Sequence, residues 1–262
     1  HMHFKEADIV YIIKDIVKSF ENYSQTKNIK VSLKFPDEEF KLWIDPGNFD
    51  KIIFASGAKS SPQLGTDGSI YDVLVKHGYK MKETSPSLCP IKVKENVKLV
   101  EGIRNNVKIS IYNENKLIHE ETGELLFKDK GISGIVIFNA CHFINQTNKK
   151  DVKIHVDFAY NYQQDINSKD YISFVHPKLA NYLGNNNLNI HDVVFTFKDF
   201  YDYSTSQVTS GGICLCNIND SLESNNEKDV FFIGEILDVD AICGGYNMMW
   251  AFASAYRVSK VI

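Results

Sequence analysis

The chain predicts an α/β fold interrupted by a β-rich insertion, and three stretches carry that reading. Towards the C-terminal end an apolar strand, Val230 to Ile233, runs into Gly234-Glu235-Ile236-Leu237-Asp238-Val239-Asp240. Cys243-Gly244-Gly245-Tyr246-Asn247 then opens a helical pattern that continues to Ile262. Earlier, Lys51-Ile52-Ile53-Phe54-Ala55 is almost wholly apolar, the pattern of a strand buried on both faces of a parallel sheet. Between these ends, short alternating segments crowd together with Gly, Asn and Asp separating them, as in an antiparallel sheet or barrel.

Taken in order, Ile9, Ile13, Ile16, Val17 and Phe20 fall at helical spacing and predict an amphipathic helix over 6–23. Residues 29–33 alternate as a strand does. Phe40 to Ile44, the turn Asp45-Pro46-Gly47-Asn48, and Lys51 to Ala55 predict a hairpin. The small-residue turn Ser56-Gly57-Ala58-Lys59-Ser60-Ser61-Pro62 follows, and Ser69 to His77 predicts a short helix stopped by Gly78. Past Thr84-Ser85-Pro86, strands are predicted at 91–99, 106–112, 116–120, 124–128, 134–140 and 152–158. Residues 177–191 carry a weak helical pattern that Pro177 starts and Gly184 breaks, and Val193 to Phe197 alternates again. Val208-Thr209-Ser210-Gly211-Gly212 leads into Ile213-Cys214-Leu215-Cys216. The expected boundaries are an α/β piece over 1–85, a β-rich insertion over 86–207 with a short helical portion at about 166–191, and a return to the α/β piece over 208–262.

Bulk composition narrows the function classes. The net charge is −4, which provides no basic field for nucleic acid or an anionic membrane. No apolar run reaches the ~20 residues of a membrane span. Five cysteines, an odd number, and the absence of a signal-peptide apolar core from the opening residues predict reduced thiols in a cytoplasm.

The chemistry-bearing residues divide unevenly. A Gly-Gly pair before a helix presents free backbone N–H groups where the positive end of the helix dipole favours an electron-rich ligand edge. Gly244, Gly245, Tyr246 and Asn247 are therefore candidate cofactor contacts, the alternative being a tight packing turn at a helix start. Glu235, taken by itself, reads as a surface acid at a strand end, and Asp238 and Asp240 as a solvated turn, with general acids as the alternative for the pair. Cys243 precedes the glycine pair, as a redox thiol or a small filler. Cys214 and Cys216 would face one side of a strand, but no further pair at ligand spacing follows, so no metal site is expected. The histidines, among them His119 and His142, stand singly. No catalytic residue is assigned. Met249, Phe252, Ala253 and Tyr256 share a helical face and are expected in the core.

These segments resemble the bacterial flavoproteins of the BaiN/YhiN type, FAD-dependent oxidoreductases also labelled aminoacetone-oxidase-like. Gly234-Glu235-Ile236-Leu237-Asp238-Val239-Asp240 with Gly244-Gly245-Tyr246-Asn247 follows that family's GE-x-L-D-V-D…GGYN pattern. Val208 to Gly212 is similar to its VTSGG, and Gly123 to Gly134 to its GELLFTHxGLSG. Ile53 to Ser60 stands where the family has a VLATGGKS-like strand and turn.

The resemblance implies an incomplete FAD/NAD(P)-binding, Rossmann-like domain with an inserted barrel-like domain, and hydride transfer through flavin N5. It implies FAD contacts from Ser56, Gly57, Gly234, Glu235, Gly244, Gly245, Tyr246 and Asn247. Two departures matter. The family's G-x-G-x-x-G, which cradles the FAD pyrophosphate, is absent from this sequence, and the stretch 161–207 is shorter than the family's helical insertion. FAD is therefore expected to be weakly held or absent in the chain as isolated, and the chain not to be competent alone. The remaining expectations are a small-molecule substrate, and self-association or a second chain at an exposed sheet. The alternatives are a non-catalytic ligand-binding or interaction module, and a subunit completing a flavin site with another chain.

Overall fold

The computed structural model describes residues 51–262, and the expectations for the helix at 6–23 and the strands at 29–33 and 40–44 lie outside that range. Strand β1 (Ile52–Phe54) pairs in parallel with β10 (Val230–Phe232), Ile53 standing opposite Phe231. Phe54 stacks on Phe232 with ring centroids 5.0 Å apart, and Tyr79 meets Phe232 edge-on. The parallel pairing matches the sequence reading; the burial of β1 does not. Ile52 and Ile53 are 41% and 42% exposed, because among the described residues β1 has β10 as its single strand neighbour. Helix α1 (Ser69–Lys76) starts after Gly68, and Gly78, at φ 87°, follows its C-cap His77. Asp67 Oδ1 accepts the Ser69 N–H at 2.8 Å, and that bond holds the Asp67 carboxyl below the usual range.

Entry to and exit from the insertion form one antiparallel ribbon, β2 (Met81–Ser87) against β9 (Val208–Ile213), with Ser87 opposite Val208. The ribbon needs both glycines of Gly211-Gly212. A Cβ on Gly211 would stand 2.3 Å from the Glu83 carbonyl oxygen, and one on Gly212 2.7 Å from that of Ile236.

The insertion is a closed six-stranded barrel. Its strands are β3 (Ile91–Val93), β4 (Arg104–Asn113), β5 (Lys116–Lys128), β6 (Gly131–Ser133), β7 (Val152–Asp157) and β8 (Val193–Phe200), ordered β3-β6-β5-β4-β7-β8 and antiparallel throughout. Glu114 and Asn115, both at positive φ, make the two-residue turn between β4 and β5. The expected strands at 116–120 and 124–128 are one continuous strand. Gly123 within it lets a helix lie close, since a Cβ there would sit 2.9 Å from Val136 Cγ1.

That helix, α2 (Ile135–Asn145), replaces the strand expected at 134–140. Its β-branched and aromatic residues favour a strand locally, yet the buried set Val136, Ile137, Ala140, Cys141 and Ile144 follows a helical period, and packing against β5 outweighs propensity. Helix α3 (Pro177–Asn185) starts at Pro177 as expected, with the His176 side chain accepting the Lys178 N–H, and Gly184 lies in its last turn. Helix α4 (Tyr246–Val258) closes the described fold.

Two hydrophobic clusters result. One holds buried residues from Cys89 to Phe200 and fills the barrel; the other joins Ala58 to Tyr79 with Ile213 to Val258.

Candidate functional site

The corner after β10 is built by main-chain ties. Gly234, at φ 75°, begins a 3-10 turn, donates its N–H to Ser254 Oγ at 2.9 Å and accepts Trp250 Nε1–H on its carbonyl at 3.1 Å. The strand end is thereby fastened to α4. Glu235 turns inward: its Oε1 accepts the Thr209 N–H at 2.6 Å, and burial pushes its carboxyl above the usual range. The reading of Glu235 as a surface acid is corrected here, because the β9 strand-end amide needs an acceptor below the surface. Thr209 Oγ1 also accepts the N–H groups of Lys59 (3.1 Å) and Ser60 (3.0 Å) and lies 2.7 Å from Ser60 Oγ. One polar node thus joins the turn after β1, the VTSGG ribbon and the Gly-Glu turn. Ser56 is exposed on that turn, and Gly57 is required by its φ of 72° rather than by crowding.

At the start of α4, Gly244 and Gly245 adopt φ 133° and 85°. Asn247 spends its side-chain amide on the loop, with Oδ1 accepting the Ala241 N–H and Nδ2 donating to the Ala241 carbonyl, both at 2.9 Å. The N–H groups of Gly244, Gly245 and Tyr246 find no acceptor among the described residues, and all three residues are exposed. Asn247 thus ties the loop to the first turn of α4 through Ala241.

The barrel reaches this loop from the other side. Asp240, whose side chain is 8% exposed, pairs with His142 Nδ1 at 3.0 Å. Asn139 Oδ1 accepts the Cys243 N–H at 2.9 Å, and Asn139 Nδ2 donates to Glu121 Oε1 at 2.8 Å. Glu121 Oε2 in turn holds His119 Nε2 at 3.1 Å, and the His119 ring lies flat on Phe143, 4.1 Å between centroids. Asp240 is therefore a half-buried hydrogen-bond partner of His142, not a solvated turn residue. Two histidines that stand singly in the sequence are brought to one loop. Glu121 and Asn139 carry no distinguishing signal in the sequence. With 135–145 read as a helix, Asn139, His142 and Phe143 fall at i, i+3 and i+4 on one face.

Other expectations change. Cys214 caps a 3-10 turn (Leu215–Asn217) and Cys216 lies within it, so the two do not share a strand face. Among the described residues, no three His, Cys, Asp or Glu side chains are grouped to hold a metal. Met249, Phe252 and Tyr256 are 61%, 71% and 65% exposed, and Ala253 is exposed too, so the expected core face of α4 is an open face. The helix carries two apolar stripes, and packing selects Trp250, Ser254 and Val258 as the inward one.

A parallel strand pair ending in glycine turns, a glycine-opened helix beyond it and a barrel spliced between define a Rossmann-type protein with an inserted domain. The HI0933-like protein Rossmann domain model matches residues 4–261, and the chain belongs to that family. It is similar to a 3-dehydro-bile acid delta(4,6)-reductase of Clostridium scindens, 27% identical over 87% of this chain and 66% of the relative. It is also similar to ribosomal RNA dihydrouridine synthases of Haemophilus influenzae (28% identical) and Escherichia coli (25%), each over 80% of this chain and 60% of the relative. The chain spans less than two thirds of the length of these relatives. No helix among the described residues is long and apolar enough to cross a membrane.

Proposed function

We propose that the chain is the flavin-side and substrate-side portion of an FAD-dependent oxidoreductase that saturates a carbon–carbon double bond conjugated to a carbonyl. One observation carries the reading: the main-chain N–H groups of Gly244, Gly245 and Tyr246 have no acceptor among the described residues at a helix start, with open space beside Gly245 and the Tyr246 ring against Gly244. Such a corner fits the electron-rich pyrimidine edge of a flavin, and the α4 dipole favours negative charge there by ~0.3–2 kcal/mol. Bound FAD would supply two-electron hydride chemistry at N5. Asn247 keeps the loop closed on itself, and Glu235 with Thr209 keeps the turns at Ser56-Gly57 and Gly234 side by side for the ribityl chain. The relatives' names support the reaction class, since a delta(4,6)-reductase acting on a 3-dehydro compound and a dihydrouridine synthase both add hydrogen across such a bond.

A small-molecule substrate is favoured over nucleic acid by the net charge of −4, and the five free thiols favour a reducing cytoplasm. These 262 residues carry no G-x-G-x-x-G of their own, and the expected outcome for them as an isolated polypeptide is weak FAD binding; stoichiometric flavin released on denaturation would refute that. The reading is tested by titrating the chain with lumiflavin and with FAD. Wild type is expected to shift the visible flavin spectrum and Gly245→Val to abolish the shift; a wild type that perturbs neither flavin overturns the assignment. A steroid 4,6-dien-3-one and a uridine oligonucleotide, offered to the reduced complex, separate the two substrate classes. A second reading, a subunit that completes the flavin site with another chain, is favoured by the exposed apolar face of α4 at Met248, Met249, Phe252 and Tyr256.

A further inference from the structure

We infer that His119 is the proton donor of the site, with Glu121 and Asn139 as its positioning residues; the inference rests on the reductive reading above. Asn139 is 5% exposed and uses both halves of its amide, one on the Cys243 N–H of the loop, the other on Glu121. One amide group and two hydrogen bonds therefore separate the Glu121 carboxylate from the main chain next to Gly244. Glu121 engages His119 Nε2, which fixes the tautomer with the proton on that nitrogen, and Phe143 covers one face of the ring. His119 Nδ1 has no hydrogen-bond partner among the described residues.

His142 is a weaker candidate for the same role. Its Nδ1 is taken by Asp240 and its Nε2 lies 2.8 Å from Gln146 Nε2, so both ring nitrogens are engaged. An imidazole held by a carboxylate at one nitrogen and open at the other is the arrangement a general acid requires.

The step balances on an enone. With a bound flavin supplying the hydride to the β-carbon, the π electrons of the double bond would move towards the carbonyl and leave an enolate for His119 to protonate. The Nδ1–H of protonated His119 breaks, its proton forms the new C–H bond at the α-carbon, and the carbonyl is restored. Nδ1 then regains a proton from water.

The experiment saturates the chain with excess FAD, reduces it with dithionite and follows reoxidation by two oxidants, each rate read above that of free reduced FAD. A steroid 4,6-dien-3-one needs a proton on carbon, whereas ferricyanide takes electrons alone. His119→Gln is expected to slow the dienone reaction by about 100-fold or more while leaving the ferricyanide rate within about twofold. Glu121→Gln, which keeps the ring but loosens its tautomer, is expected to slow the dienone arm by about tenfold. Without turnover, adding dienone to the oxidised, histidine-labelled chain should move the His119 ring resonance and leave that of His176 in place. Equal slowing with both oxidants, or an unmoved His119 resonance, overturns the assignment. A wild type that reacts with dienone, matched by His119→Gln, overturns the His119 role alone. A wild type that ferricyanide reoxidises but dienone does not removes the reductive reading beneath it.

Discussion

Glu235 shows what a single residue contributes to the corner. Its carboxylate accepts the Thr209 amide, but burial outweighs that bond and raises its pKa above the usual carboxylate range. The unfolded chain therefore ionises Glu235 at lower pH than the fold does. Its contribution to stability is full below the ordinary carboxylate range and is lost as pH rises through the raised value. Glu235→Gln keeps an oxygen for Thr209 and carries no charge, so its Tm is expected to exceed wild type at pH 7 and to converge on it in acid, as differential scanning calorimetry would read. The glycines separate along similar lines. Gly134 sits at φ 101°, and a Cβ there would stand 2.2 Å from the Glu124 carbonyl oxygen. Gly134→Ala is expected to cost about 2–4 kcal/mol in urea melts, whereas Gly57→Ala, with open space around it, costs about 1–2 kcal/mol for its left-handed backbone alone. Equal losses at the two positions would show that crowding plays no part.

Among the elements, α2 is where the sequence misled and where the site is anchored. Its apolar run reads as a strand because Ile135-Val136-Ile137-Phe138 is β-branched and aromatic, and a short apolar run has no period of its own. The helix forms because Ile135 and Val136 lie over Gly123 on β5 while Ile137, Cys141 and Ile144 are buried in the barrel cluster. The opposite consequence is functional: Asn139 and His142 are turned to the loop before α4, and Phe143 to His119. Asn139→Ala would strand the Glu121 carboxylate and the Cys243 amide without their shared partner. A loss of about 1–3 kcal/mol is expected, measured by chemical denaturation. A loss under about 0.5 kcal/mol would show that the clasp is replaced by water at no cost. Helix α4 makes the complementary point, since its sequence offers two apolar faces and the fold uses one.

Across the whole molecule, the two hydrophobic clusters divide at the β2–β9 ribbon. The barrel cluster draws every buried member from 89–200, within the insertion. An excised segment 87–207 is expected to fold alone, with a cooperative thermal transition in far-ultraviolet circular dichroism; a featureless melt would disprove it. The α/β piece behaves differently. With the strand face of Ile52-Ile53 and the outer face of α4 both open, the chain is expected to self-associate at high concentration. Phe252→Ser should lower the mass seen by light scattering, and a wild type that stays strictly monomeric would count against that surface.

The α/β class, the spliced barrel, the parallel strand at 52–54, the helix stopped near Gly78 and the glycine-opened last helix were all legible in the residues. Each depends on local chemistry: a strand of apolar residues, a glycine at positive φ, a proline at a first helical turn. The polar assembly of His119, Glu121, Asn139, His142 and Asp240 was not legible, because its members lie up to 121 positions apart and each is ordinary alone. Their meeting depends on where a closed barrel sets β5 and α2 against the loop at 240–243. Sequence by itself determined which backbone shapes the chain can take. The tertiary structure alone decided which polar side chains share a site and which apolar faces are covered, since both are properties of distance in space and not of order along the chain.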